Sequence, residues 1–239
     1  MFSAPFGDRK ITYADYTASG KSLEFVEAFI RDVILPVYAN THTTSSMTGH
    51  QTSLLRHEAR LLIKRGVNAN FSHGNDKDIL LFHGSGVTGG INLVVKSLGL
   101  EDPESDCVVF IGPYEHHSNI LPYREAKGVK VVQIGATATG AMDMQELESK
   151  LIEYQNAKMR IGSFSAASNV TGILTDIEAV SSLCHRYGAL VFFDYATAAP
   201  YVKIDMNPKS NDPNNFIDAI FISPHKFFGR TKHSGSGGD

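Results

Sequence analysis

Cysteine is scarce in this chain. Its 239 residues include two, Cys107 and Cys184, too few for a disulfide framework and suited to a reducing compartment. Cys107 opens the apolar run Cys107-Val108-Val109-Phe110 and Cys184 falls inside a helical pattern, so both read as small buried hydrophobes rather than nucleophiles. Long apolar runs are missing as well, which excludes a bilayer-spanning helix. Residues 1–10 have no apolar signal core and carry Asp8 among few basic residues, so the expected location is cytoplasmic. Charge of one sign is not concentrated anywhere, and the formal net charge is -3. This leaves no electrostatic footprint for nucleic acid or an anionic membrane, and neither is expected as a partner.

The remaining composition, 42% apolar and 20% charged, is that of a globular protein whose length one core can accommodate. Leu23, Val26, Ile30 and Val33 follow helical spacing behind Ser19 or Ser22, and Pro36 ends the pattern. Residues 39–52 are almost wholly polar, which invites a functional explanation, and a second helical pattern runs over 53–68. From Asp78 onward short apolar runs (79–82, 107–111, 129–134, 160–164, 190–193 and 219–222) alternate with helical segments (88–98, 144–154 and 177–187). Such runs read as strands buried on both faces. Thr175 with Glu178 forms a capping-box signature before the last helix, and Gly188 closes it. The expected fold is α/β, a mostly parallel doubly wound sheet. No internal repeat is found. The organisation read from this is a helical segment with a polar loop over 1–70, belonging to the same domain as 71–230, and a tail over 231–239 whose Gly/Ser composition predicts flexibility.

In open sheets of this kind ligands bind beyond the carboxyl ends of the strands, and four loops there carry chemistry. Gly84-Ser85-Gly86-Val87-Thr88-Gly89-Gly90 precedes a helix, where glycines permit close backbone approach and the helix N-terminus favours an anion such as phosphate. It also satisfies G-x-G-x-x-G, but the next strand ends in Gly112-Pro113 with Glu115 beyond, not in the acidic residue a dinucleotide site needs. Tyr114-Glu115-His116-His117-Ser118-Asn119 follows the 107–111 run. A histidine there can stack on a flat ligand or move protons, while adjacent side chains on an extended segment diverge and make a poor metal site. No metal is expected. Asp194 closes the 190–193 run, and a carboxylate buried there needs a cationic or hydrogen-bonding partner. Ser223-Pro224-His225-Lys226 follows the 219–222 run. A lysine in that position can be partly desolvated, giving a neutral amine able to form a Schiff base. Taken singly, each loop also admits a bland reading: a tight turn, solvated histidines, a structural carboxylate and a surface lysine.

Read in order, these segments resemble the class V aminotransferase group of fold-type-I pyridoxal-phosphate (PLP) enzymes, above all cysteine desulfurases and selenocysteine lyases. The match runs from Tyr13 to Gly229. It rests on Gly86-Val87-Thr88-Gly89-Gly90-Ile91-Asn92, Glu115-His116-His117-Ser118-Asn119, Ser168-Asn169-Val170-Thr171-Gly172, Asp194 and Ser223 to Lys226. The resemblance implies that Lys226 carries the cofactor and shuttles a proton, that Asp194 faces the pyridine nitrogen, and that His116 stacks on the ring. It further implies that Val87, Thr88, Ser223 and His225 hold the phosphate, and that Asn169 lies near the ring hydroxyl or the substrate. The loop over 40–51 resembles the family's active-site entrance. The expected substrate is a small amino acid, and a homodimer is implied for the full-length form.

Two positions depart from the family pattern: Thr197 stands where a glutamine is usual, which shortens or removes a bond to a cofactor oxygen, and Pro224 replaces a glycine. In the family a smaller domain beyond the lysine supplies the substrate-carboxylate arginine and, in desulfurases, the sulfur-accepting cysteine. With Asp239 the last residue, that small domain is expected to be absent, and PLP binding without efficient turnover of cysteine is expected. The alternatives are another class V reaction, since the cofactor site is shared, and a catalytically silent PLP-binding protein.

Overall fold

A computed structural model describes residues 2–41, 43–72 and 77–229. The tail over 231–239 lies outside the described residues, as does His42 of the polar loop. The chain opens with a hairpin of β1 (Phe2–Ala4) and β2 (Gly7–Arg9), followed by α1 (Glu24–Phe29), which continues into a π-helical turn at Ile30–Ile34. Next come α2 (Met47–Gly66) and α3 (Gly86–Ser97). The remainder alternates: β3 (Cys107–Ile111), α4 (Leu121–Glu125), β4 (Val129–Gln133), α5 (Met144–Glu153), β5 (Met159–Ser165), α6 (Ile177–Arg186), β6 (Leu190–Asp194) and β7 (Ala219–Phe221). β3 to β7 form one sheet in the order β4-β3-β5-β6-β7, parallel throughout. The fold is α/β with helices on both faces. No helix among the described residues is long and apolar enough to cross a membrane.

The alternation of side chains along a strand explains why these runs are apolar throughout. Every residue of β3 is buried. Val108 and Phe110 pack with Leu147 and Leu151 of α5 and Val180 and Leu183 of α6, while Cys107, Val109 and Ile111 pack with Ile91 and Val95 of α3 and Tyr123 of α4. Both cysteines belong to these cores, and burial first, with Asp106 or Asp218 nearby, pushes each thiol up to about 12. Neither is a nucleophile at neutral pH.

Four expectations need correcting. Neither Ser19 nor Ser22 caps α1, whose N-cap is Leu23 with no side-chain cap bond. The run 79–82 is not a strand: it pairs with no neighbour among the described residues, and Ile79 and Leu81 are 74% and 60% exposed. Its apolar character makes it strand-like, but a strand needs a partner for its backbone groups, and β7 does not pair with it. The polar loop is shorter than expected, because α2 starts at Met47, six residues before Ser53. Ser46 caps it by accepting from Gly49 N–H, and Ser53 donates back to the Gly49 carbonyl, so polar residues support this first turn locally. The cap of α6 is Asp176, which accepts from Ala179 N–H, while Thr175 donates to the Ser165 carbonyl. The stop of that helix is as expected: Gly188 has φ +68°, and Gly188 and Ala189 donate to the carbonyls of His185 and Cys184.

Candidate active site

From β3 the chain adds β4 on one side and then β5 on the other, so a crevice opens between β3 and β5 at the carboxyl end of the sheet. The loops with candidate residues converge on that end. Lys226 closes a short 3-10 turn after β7 and is half-buried. Burial lowers its pKa, against the opposing attraction of Asp194 and then Asp15, which raises the share of neutral amine at a given pH.

Asp194 is 5% exposed at the end of β6. Burial pushes its carboxyl upward, opposed by the Ala196 N–H, which donates to Oδ1 at 2.8 Å, and by the charges of Lys226 and His116. Lys226 and His116 are therefore each within electrostatic reach of Asp194. Among the described residues Oδ2 of Asp194 receives no hydrogen bond. A protonated heteroaromatic N–H is the kind of partner such an oxygen lacks, so the donor set fits the pyridinium of PLP.

The start of α3 is built by two successive left-handed residues, Ser85 (φ +64°) and Gly86 (φ +56°). A non-glycine residue held there stores strain, and such positions cluster at ligand clamps. The turn brings Val87 N–H to the buried Ser223 hydroxyl at 3.2 Å, and a Cβ on Gly86 would meet that hydroxyl at 2.9 Å. Val87 and Ser223 thus meet across the α3 terminus and β7 with Thr88 exposed beside them, an arrangement fit for a phosphate. A cavity of about 450 Å³ lined by Thr88, Asn92, His116 and His117 adjoins it. A larger one, about 560 Å³, lies at the opposite, amino end of β3 and β4, beside Asp106 and Lys130, away from these residues.

His116 is exposed, and its Nδ1 lies 2.8 Å from the Ser118 hydroxyl and accepts from Ser118 N–H at 3.2 Å. The ring of His117 stands 6.1 Å away, tilted by 57°. Asn169 is exposed in the turn after β5, and Thr197 is partly buried after β6. Among the described residues neither makes a side-chain hydrogen bond to the other candidates. His225 is half-buried, and its carbonyl accepts from Gly20 N–H at 2.9 Å.

Residues 12–231 match Aminotransferase class-V. The chain belongs to the class-V aminotransferase family. A probable cysteine desulfurase from Halalkalibacterium halodurans is 28% identical over 230 residues, covering 92% of this chain and 51% of that relative. One from Streptomyces coelicolor is 26% identical, covering 93% and 51%. Among solved structures, the apo cysteine desulfurase of Thermococcus onnurineus NA1 superposes with a TM-score of 0.72 at 22% identity, over 90% of this chain and 49% of that one. The cysteine desulfurase CsdA of Escherichia coli gives 0.66 at 25% identity, over 89% and 50%. The chain spans about half the length of the curated relatives it matches.

This class-V chain also holds residues at the site to which the sequence alone assigned no role. Residues 13–21 lie as a strap over the lysine turn: Gly20 N–H donates to the His225 carbonyl and Gly229 N–H to the Lys21 carbonyl, both at 2.9 Å. The Tyr13 hydroxyl reaches the carbonyls of Asp15 and Ser19, and Tyr16 packs on Phe228. A Cβ on Gly20 would collide with the Phe227 carbonyl oxygen. The cluster of small residues Thr17-Ala18-Ser19-Gly20 was the available signal for such a close approach.

Proposed function

We propose that this chain forms the cofactor-binding part of a PLP-dependent enzyme that acts on a small amino acid, of the cysteine desulfurase or selenocysteine lyase type, with PLP bound covalently through Lys226. The observation that carries the reading is the placing, at one end of the sheet, of a partly desolvated lysine, His116 and a buried carboxylate whose Oδ2 takes no hydrogen bond among the described residues. The family membership and the named relatives support the same reading.

Val87, Thr88, Ser223 and His225 hold the phosphate, Asp194 keeps the ring nitrogen protonated, and His116 covers the ring. Asn169 would lie near the ring hydroxyl or the substrate, and Thr197, in place of a glutamine, would at most make a shortened reach to a cofactor oxygen. When bound, PLP supplies an electron-withdrawing ring that stabilises negative charge developing at the α carbon of an amino acid. Lys226 then holds and returns the proton at its Nζ. In the full-length form the working unit is a homodimer, located in the cytoplasm.

The test is a spectroscopic titration of the purified chain with PLP. Wild type should develop a visible absorbance band that Lys226→Ala lacks. In the full-length form, Asp194→Asn should keep the band yet respond more poorly than wild type to added cysteine, since its charge matters more to reaction than to binding. No band in wild type at any pH, or an equal band in Lys226→Ala, overturns the assignment.

A further inference from the structure

We propose that Glu115 is the positioning residue that fixes His116 beside the crevice between β3 and β5. The inference rests on the PLP reading only for what His116 finally covers. Its carboxylate spans the crevice. Oε1 accepts from Gly112 N–H of its own turn at 3.2 Å and from Ser165 N–H at the end of β5 at 2.8 Å. Oε2 accepts from the Ser165 hydroxyl at 2.8 Å and from Asn119 Nδ2 at 2.6 Å. Burial pushes this carboxyl upward, opposed by the bonds from Asn119 and Ser165, with the charge of Asp194 also raising it. Four donors and no acceptor converge on it, so the geometry is complementary to the ionised form.

The brace continues below the crevice. Asn119 is fully buried; its Nδ2 donates to the Ser163 carbonyl at 3.2 Å and its Oδ1 accepts from the Ser163 hydroxyl at 2.7 Å. That hydroxyl also lies 3.2 Å from the Tyr123 hydroxyl of α4. At Gly112 a Cβ would stand 2.8 Å from Oε1 of Glu115, so a side chain there would displace the carboxylate from this arrangement. The turn from Gly112 to Asn119 is thus tied at both ends to β5. His116 is the residue next to Glu115, and its Nδ1 accepts from Ser118 N–H, which places the proton of the neutral ring on Nε2. A glutamine at 115 has one acceptor oxygen in place of two. Its amide nitrogen would face the donors of Ser165 or Asn119, leaving buried groups unsatisfied and the turn loose.

Two readouts test this in the full chain. In the first, nitrogen NMR of the imidazoles without PLP should show His116 in the Nε2–H form in wild type and an average of tautomers in Glu115→Gln. In the second, PLP should bind Glu115→Gln about tenfold more weakly or worse, and this loss should vanish in a His116→Ala background, because Glu115 acts through His116. Unchanged His116 signals, or an equal loss of affinity with and without His116, overturn the proposal and leave Glu115 a structural group. If wild type takes up no PLP, the cofactor reading fails and the NMR readout alone decides the brace. If Glu115→Gln does not fold, Ser165→Ala, which removes only the hydroxyl arm, is read in the same two ways with a smaller shift expected.

Discussion

The helices of this chain fall into two groups that resemble each other in sequence and differ in what they bury. α3, α5 and α6 each press an apolar stripe onto the sheet. α1 buries no residue, and α2, with 20 residues, buries Gly49 alone. Phe25, Phe29, Leu54 and Leu62 remain exposed although the spacing in α1 is amphipathic. A helical pattern records that a face needs covering; it does not say what covers it. The sheet region is therefore held by packing, and α2 by its Ser46 cap and local hydrogen bonds, while α1 has no side-chain cap.

The sharpest way to break this contrast is to delete side chains in both regions. Phe193→Ala, at a fully buried position of β6, should cost about 3–5 kcal/mol, whereas Leu62→Ala on α2, at 65% exposure, should stay within about 0.5 kcal/mol. Urea denaturation measures both, and a large loss for Leu62→Ala would mean that α2 has a covered face in solution. The strap that joins the two regions gives the next effect. Gly20→Ala should lift residues 13–21 from the lysine turn, cost about 1–3 kcal/mol and speed limited trypsin cleavage at Lys21. Cleavage at the wild-type rate would show that the strap does not lie against the turn.

Caps should separate the regions more gently. Asp176→Ala removes the bond to Ala179 N–H and should lower global stability by about 1 kcal/mol. Ser46→Ala, which removes the bond to Gly49 N–H, should leave the global transition nearly unmoved while hydrogen exchange quickens at the start of α2. Equal shifts in the global transition would erase the distinction.

The smallest effect is a pH dependence confined to the sheet region. His185 lies 2.9 Å from Asp218 and 2.7 Å from the Asn214 carbonyl, and its ring stacks on Phe216 at 3.9 Å. Burial would lower its pKa, but the bonds to Asp218 and Asn214 and the nearby charges prevail and raise it from 6.5. A raised histidine contributes stability that is complete below its unfolded pKa and fades as pH climbs through the folded one. The urea midpoint of wild type relative to His185→Gln should therefore be larger at pH 6 than at pH 8. A difference independent of pH would show that the contact works without the charge.

The sheet was legible because period-2 burial on two faces leaves one kind of trace, a short continuous apolar run, and five of the six runs became strands within a residue or two of the expected ends. The run 79–82 carries the same trace without a partner, since pairing is not written in the run itself. The α2 start was missed because Ser46 and Ser53 support a polar helix turn through backbone bonds that hydrophobic periodicity cannot register. At the site, Lys226 and Asp194 were visible as polar residues ending apolar runs. Ser85 was not singled out, because its left-handed backbone leaves no mark on composition. The strap at Gly20 escaped because its contact with Phe227 spans most of the chain's length. Glu115 was visible as the first residue of the Glu115-to-Asn119 segment but without a role of its own; its work depends on Ser165, fifty residues on.

The central claim is that one lysine among many has been made reactive by its place after β7. Incubation of the chain with PLP, reduction with sodium borohydride and peptide mass mapping test it directly. The account predicts a pyridoxyl group on Lys226 and its loss in Lys226→Ala. Labelling spread over exposed lysines such as Lys10, Lys96 and Lys127, and undiminished by Lys226→Ala, would contradict it.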